Sequence, residues 1–273
     1  MEKKYEFVDE TKTVFGGTVL HRIKALRSFG DVKAGDLGGF IEKEKNLSHV
    51  GDCWIYDNAE VYGKAYVYDN ALIRNDAKIC GSANVFGNAH VYDNAIILDN
   101  AYIYDDANVF GNSHVYDNSC IFGDAYVYGD ANVCGNAKAF GNSHVYGNAK
   151  VFGNAYVYGD VSICGNARVC GNAYVYSDAY VCGNARVCSD AIICGNANIS
   201  KTSDYMVIGP IGSRNDYTTF YKTDNNTIYV KCGCFNASID EFETRVQEVH
   251  GNNKHAINYN KAIDLAKTMI NDE

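Results

Sequence analysis

One stretch of the chain, residues 47–202, divides into 26 consecutive six-residue blocks without an insertion. The first position of the block is Ala in 20 of the 26, the third is Val or Ile in 24, and the sixth is Asn or Asp in 23. A typical block is 155–160, with the sequence Ala-Tyr-Val-Tyr-Gly-Asp. Self-similarity at a fixed period indicates a repeat architecture, and this constrains the fold more than any local propensity.

Each block is predicted to be a very short strand followed by a bend. Positions 1 and 3 are two residues apart, so on an extended strand they point to the same side and position 2 points to the other. The β-branched residue at position 3 favours extended backbone and an inward orientation. Gly, Asn and Asp at positions 5 and 6 tolerate the positive φ that a bend requires. Stacked coils would then bury the Ala and Val rows continuously, which no single block can do alone.

This pattern resembles the hexapeptide-repeat proteins, whose fold is a left-handed parallel β-helix with three blocks in each triangular coil. The resemblance covers 47–202 and implies an all-β solenoid of eight to nine coils, since 26 blocks are divided by three. We expect residues 1–46 to form an N-terminal β cap and residues 203–273 a small C-terminal α+β module. A cap is expected because the first coil of a solenoid exposes strand edges.

The flanking segments contain their own strand and helix signals. In the N-terminal cap we predict strands at 5–8 and 18–26 and a turn-rich segment at 35–40. A capping box at Ser238-Ile239-Asp240-Glu241 predicts the start of a helix. The elements predicted in the C-terminal module are strands at 205–212, 218–222 and 227–232 and helices at 238–249 and 258–270.

Charge and composition exclude some classes of partner. Lys and Arg total 24 against 33 Asp and Glu, giving a net charge of −9. General nucleic-acid binding or binding to an anionic membrane needs a basic surface, so neither is expected. The N-terminus lacks an apolar leader, and no apolar run approaches the length of a membrane span. We therefore expect a cytoplasmic protein of a bacterial cell, with phage origin as one interpretation.

The chain has 11 cysteines, and seven of them occupy position 4 of a block, where other blocks have Tyr or Phe. In a three-block coil Cys170 and Cys188 are vertical neighbours, as are Cys164 and Cys182. We interpret these cysteines as reduced, compact packing residues, with a metal or redox site as the alternative. No metal and no cofactor are expected.

In a three-block coil, position 2 of every third block lies on the same outer face. The three faces therefore carry different sets of residues. One face carries Tyr66, Tyr102, Tyr156 and Tyr174. The second carries Trp54, Leu72, His90, Tyr126, His144 and Tyr180, and the third Lys78, His114, Lys150, Arg168 and Arg186. Aromatic outer faces favour homo-oligomerisation, and the resemblance implies a trimer. For the basic residues of the third face, solvated charge is favoured over an anion site.

Three histidines on these faces raise the possibility of an enzyme. Hexapeptide acyltransferases use a histidine base at a subunit interface, which would make His90, His114 or His144 the candidate here. All three recur in one context, Ala-His-Val-Tyr or Ser-His-Val-Tyr, and no loop interrupts the register of the repeat. These features favour sequence drift within the repeat over a unique catalytic position.

The C-terminal module holds the residues that occur outside the repeat, so we expect the function there. The turn Gly212–Tyr217 combines a glycine that permits close approach, an arginine for a phosphate or carboxylate, and a tyrosine that can stack. The predicted ligand-binding residues are Ser213, Arg214, Asn215, Tyr217, Lys222, Lys231 and His255. A plain structural cap is the alternative interpretation of this turn. Cys232 and Cys234 are too close together for a typical zinc pair, and Cys232 as a nucleophile with His250 or His255 has no support from spacing.

The segment 207–241 also resembles a C-terminal module of hexapeptide proteins from gut bacteria and their phages, which carries no established chemistry. The leading hypothesis is a non-enzymatic oligomeric scaffold whose module captures a small anionic ligand or a protein partner. A sharper version is a phage or mobile-element protein that sequesters a nucleotide immune signal. The alternatives are an acyl-CoA-dependent acyltransferase and a polymer-forming or adhesion β-helix.

Overall fold

The computed structural model describes residues 2–271 and divides into two units, Met1–Asn148 and Ala149–Glu273. Both are built mainly from two-residue parallel strands, which make about nine turns counted over the two units together. The predicted solenoid with a C-terminal α+β module is confirmed. The segment boundaries at 46/47 and 202/203 stay a prediction. None of the described helices is long and apolar enough to cross a membrane.

The described residues of the first unit, 2–148, form nineteen strands and one short 3-10 helix at Glu44–Asn46. The strands are β1 Tyr5–Thr13, β2 Val19–Ala25, β3 Leu37–Ile41, β4 Trp54–Ile55, β5 Glu60–Val61, β6 Tyr66–Val67, β7 Leu72–Ile73, β8 Lys78–Ile79, β9 Asn84–Val85, β10 His90–Val91, β11 Ile96–Ile97, β12 Tyr102–Ile103, β13 Asn108–Val109, β14 His114–Val115, β15 Cys120–Ile121, β16 Tyr126–Val127, β17 Asn132–Val133, β18 Lys138–Phe140 and β19 His144–Val145.

Within the first unit, each repeat strand from β4 to β16 pairs in parallel with the strand three places further along the chain. His90 lies beside Asn108, Ile96 beside His114 and Tyr102 beside Cys120, so every partner lies three blocks further on. Three strands therefore complete one coil, as the resemblance implied. The hairpin of β1 and β2 is antiparallel and extends one of the three sheets through β3, which pairs in parallel with β5.

The bends are held by residues of the same column. Asp93 has a φ of 58°, and its carboxylate accepts a hydrogen bond from the backbone N–H of Gly111, one coil away, at 3.2 Å. Asn94 donates its side-chain amide to Asn112 at 3.1 Å. Because each coil repeats the same residue types, these contacts form ladders that satisfy polar groups along the corners. The Ala and Val or Ile rows inside are fully buried.

The structure of the N-terminal region differs from two of the predictions. Trp54, predicted on an outward face, is fully buried because Tyr5 and Phe29 pack on its ring, with centroids 6.2 and 5.3 Å away. The segment predicted as a turn at 35–40 is partly strand β3. Gly38 and Gly39 serve close packing there: a Cβ on Gly38 would lie 2.7 Å from the indole of Trp54.

The second unit continues the repeat and ends in the C-terminal module. Its strands are β20 Lys150–Val151, β21 Tyr156–Gly159, β22 Ser162–Ile163, β23 Arg168–Val169, β24 Tyr174–Ser177, β25 Tyr180–Val181, β26 Arg186–Val187, β27 Ile192–Ile193, β28 Asn198–Ile199, β29 Tyr205–Ile211, β30 Asp216–Lys222, β31 Ile228–Cys232 and β32 Phe235–Ser238. A 3-10 helix spans Thr202–Asp204, and the α-helices are α1 Ile239–His250 and α2 Lys254–Asn271.

The module is an antiparallel sheet in the order β29-β30-β31-β32, covered on one face by α1 and α2. The capping box is present, with Ser238 as the N-cap of α1.

Two predictions for the module were incomplete. The fourth strand, β32, was missed, since Gly233 at φ 58° turns the chain back after β31. Helix α2 begins at Lys254, before the predicted start at 258, because the side chain of Asn253 accepts hydrogen bonds from the first free N–H groups.

The prediction that the position-4 cysteines are reduced is wrong for one pair. Cys170 and Cys188 form a disulfide, with Cα atoms 4.6 Å apart. Identical corner positions on successive coils lie at the separation that a disulfide bridges, so the repeat itself places the two thiols in reach. The vertical neighbours Cys164 and Cys182 are free.

Candidate functional site

A cavity of about 340 Å³ lies in the C-terminal module, between the sheet and the helices. Its lining combines apolar side chains with arginine, histidine, hydroxyl and thiol groups. The lining residues are Ser213, Arg214, Cys232, Cys234, Phe235, Phe242, Arg245, Val246, Val249, His250 and Tyr259. This is a small-molecule size with an apolar wall and a few polar groups.

The turn between β29 and β30 is shaped by its glycine. Gly212 has a φ of 75°, and any Cβ there would overlap the hydroxyl of Tyr259. Tyr259 can therefore lie directly against the turn only because residue 212 has no side chain. Asn215, at φ 52°, closes the turn by donating its N–H to the carbonyl of Gly212 at 3.3 Å. The close contact places Ser213 and Arg214 at the rim of the cavity.

Arg214 lies over the turn between β31 and β32. A Cβ on Gly233 would be 2.7 Å from its Nη1 atom, so the guanidinium rests on glycine backbone. Within residues 2–271 no carboxylate lies within 4.0 Å of this guanidinium. Arg245, on α1 across the cavity, differs because its Nη1 is 3.1 Å from Glu248. Arg214 therefore brings a positive charge to the rim that the described part of the module does not neutralise.

Polar contacts join two lining residues of the cavity, Cys232 and Tyr259, to Thr218 on β30. Thr218 donates its hydroxyl to the sulfur of Cys232 at 3.3 Å, and the Tyr259 hydroxyl lies 3.5 Å from the same sulfur. Burial, and then the contact with Cys232, raises the pKa of Tyr259, so its phenol stays protonated at neutral pH. His250 lines the same cavity, but no hydrogen bond joins it to Cys232 among the described residues. The thiol thus lacks the adjacent base that a nucleophile needs.

The structure brings together only some of the predicted ligand-binding residues. Ser213 and Arg214 line the cavity, Asn215 follows them in the turn, and the ring of His255 is 5.6 Å from that of His250. Three others lie apart. Strand alternation puts Tyr217 and Lys231 on the face opposite Thr218 and Cys232, and Lys222 ends β30 far from the turn.

Sequence reasoning missed the apolar wall and the second arginine. Phe242, Val246 and Val249 recur at helical spacing along α1, which indicates one helix face. That signal was present, but it does not show which strands the face would cover. Tyr259 reaches the turn from α2, far along the chain from Gly212. Contacts of this separation leave no local pattern.

His90, His114 and His144, the candidate bases, occupy outward strand positions in the first unit. The His144 ring stacks on Tyr126 with centroids 4.9 Å apart. Burial lowers the pKa of His90, and the charge of Arg74 lowers it further. None of the three is hydrogen-bonded to a carboxylate within the described residues. Among residues 2–271, therefore, no carboxylate orients any of these imidazoles in the way that a catalytic histidine is oriented by a hydrogen-bonded carboxylate.

Comparison with known proteins supports the fold. No family model matches the chain. A segment of 64 residues is 41% identical to the uncharacterized acetyltransferase YdcK of Escherichia coli (strain K12). Together with parallel strands about 18 residues apart, this decides the architecture. By fold, the chain is a parallel β-solenoid built on a six-residue repeat.

The match covers 23% of this chain and 20% of the relative. Because fold does not determine function, the activity named for the relative is not transferred by the match itself.

Proposed function

We propose that the C-terminal module binds a small anionic ligand in the cavity beside the turn of Ser213 and Arg214. The observation that carries this proposal is the position of Arg214, a cation without a carboxylate partner at the rim of a cavity of about 340 Å³. The N–H donors of a guanidinium lie in one plane and can form two parallel hydrogen bonds to the oxygens of a phosphate or carboxylate group.

The remaining lining favours a ligand with an apolar or aromatic part. Ser213 and the protonated Tyr259 offer hydroxyl donors near the guanidinium, while Phe235, Phe242 and Val246 supply an apolar wall. A nucleotide combines a planar ring with a phosphate and fits this distribution. Capture of a nucleotide signal, as hypothesised above, is one form of this function, and the β-helix would serve as a rigid, self-associating scaffold for it.

Binding rather than catalysis is proposed because Cys232 hydrogen-bonds with Thr218 and Tyr259 instead of a histidine. Its sulfur therefore accepts a hydrogen bond from a hydroxyl and has no group to remove its proton. Nothing else in the lining forms a nucleophile–base pair among the described residues.

The test is calorimetric titration with adenosine monophosphate. We expect Arg214→Gln to weaken binding by about ten- to a hundredfold, because a charge-assisted pair contributes roughly 1.5–3 kcal/mol. Lys231→Gln is the matched control, since it removes an equal charge on the opposite face of the sheet, and it should leave the affinity within about threefold. Equal affinities of wild type and Arg214→Gln would refute the site.

A second candidate is acetyl transfer, favoured by the similarity to a relative named as an acetyltransferase. In that reaction His90, His114 or His144 would accept the proton of an acceptor hydroxyl or amine. The acceptor would attack the thioester carbonyl of acetyl-CoA, the co-substrate, and the C–S bond would break. Coenzyme A would leave as the thiol product, taking a proton.

Scanning fluorimetry with acetyl-CoA separates the two candidates. If the protein is an acyltransferase, saturating acetyl-CoA should raise the unfolding temperature by a few degrees, and Arg214→Gln should respond like wild type. Substituting the responsible histidine by Ala should then lower the transfer rate by about 10²–10⁴-fold. A flat response to acetyl-CoA would count against acetyl transfer.

A further inference from the structure

Three cations are stacked on one face of the second unit. Lys150, Arg168 and Arg186 occupy the same outward position on β20, β23 and β26, and the strands pair in register so that each is the direct neighbour of the next. All three are exposed. We call them the basic column. The coil spacing is given by the Cα atoms of Cys170 and Cys188, which are 4.6 Å apart.

The charges of the basic column are not compensated by the described part of the protein. No carboxylate of residues 2–271 lies within 4.0 Å of these three side chains. The corner residues that flank the two arginines are amides, Asn166 and Asn184, which hydrogen-bond to each other at 3.2 Å. Like charges on directly neighbouring strands repel each other. A bound anion would reduce this repulsion by placing negative charge between the three cations.

Lys78 provides an internal comparison. It lies at the same outward block position on β8 of the first unit, but its Nζ is 3.9 Å from the buried carboxylate of Glu60. Glu60 also pairs with Lys12 from the N-terminal hairpin. Lys78 thus has a carboxylate partner. Among the described residues, no carboxylate lies within 4.0 Å of the basic column.

The arginines of the basic column line a shallow groove. The groove has a volume of about 250 Å³ and is lined by Asn166, Arg168, Asn184 and Arg186. Two guanidinium groups one coil apart can each bind a separate anionic group, and the amides add neutral donors. A single phosphate satisfies one arginine well. A linear anion with charged groups roughly 5 Å apart satisfies both at once.

The disulfide fixes the same two coils. Cys170 and Cys188 follow Arg168 and Arg186 by two residues each, so the bond links the strands that carry the arginines. A covalent link at this point limits relative movement of the two coils. A site held at its bound spacing loses less entropy on binding.

We propose that the basic column binds a linear polyphosphate-type anion that runs along the stack of coils. This site is separate from the cavity of the C-terminal module and uses none of its residues. Recognition is electrostatic and depends on the repeat distance, since both arginines must be contacted by one molecule. The proposal does not depend on the proposed function of the module.

Calorimetry with inorganic tripolyphosphate tests the proposal. We expect binding at low ionic strength that weakens as salt is added, and orthophosphate should bind at least about tenfold more weakly. The double variant Arg168→Gln/Arg186→Gln should lose about tenfold or more of the affinity. Lys78→Gln is the matched control and should bind like wild type.

Two further measurements keep the result interpretable. Without ligand, the double variant should unfold at the same temperature as wild type or higher, because the repulsion is removed. Arg214→Gln should retain tripolyphosphate binding. The proposal is overturned if tripolyphosphate does not bind, if orthophosphate binds equally well, or if the double variant binds like wild type. Loss of binding in Arg214→Gln alone would assign the anion to the module cavity instead.

Discussion

Replacing Val91 by Asp is expected to prevent folding of the first unit, whereas His90→Asp, one residue earlier, is expected to change its stability by no more than about 0.5 kcal/mol. Val91 is fully buried between Ile73 and Val109 of the neighbouring coils. His90 is exposed on the outside of the same strand. An ionised carboxylate in this interior costs several kcal/mol, comparable to the total stability of a domain.

The pair of variants tests strand alternation directly, since both change one residue of β10 to the same amino acid. The measurement is urea denaturation followed by circular dichroism, with the soluble yield as a second readout. Val91→Asp should be recovered in inclusion bodies or unfold without urea. If the two variants had equal stability, the assignment of inward and outward positions would be wrong.

Trp54→Ala is expected to lower the free energy of unfolding by about 3–5 kcal/mol. The indole is fully buried, and Tyr5 and Phe29 of the cap contact it edge-on. Its removal would leave a cavity that neither the strand β3 with Gly38 nor the aromatic rings can fill without moving. The loss should appear as a lower urea midpoint with an unchanged slope.

Leu72→Ala is the matched control for Trp54→Ala. Leu72 occupies the same column one coil further on and pairs in register with Trp54, but it is only half-buried. Its loss should be about 1 kcal/mol, because the side chain is partly in water before the substitution. Equal losses for the two variants would mean that the cap does not cover Trp54.

The repeat could be read almost completely from the sequence. The block length, the inward rows and the character of the corners follow from the alternation along each strand, which acts over short distances in the chain. The three-block coil was implied by the resemblance to hexapeptide-repeat proteins. The basic column was also visible, since taking every third block places Lys150, Arg168 and Arg186 together. The pairing of Lys78 with Glu60 was not visible, because it depends on the position of Glu60 in the folded first unit.

The sequence by itself determined that this protein is a β-helix, because 26 similar blocks can bury their Ala and Val rows in only a few ways. It also located the turn of Ser213 and Arg214. Tertiary structure alone decided that Trp54 is covered, that Cys170 bonds Cys188, and that Tyr259 and Gly233 shape the cavity around Arg214. The physical reason is that these outcomes rest on close approaches between particular side chains and backbone segments. Such contacts depend on the packed shape of both partners, and no periodic pattern records them.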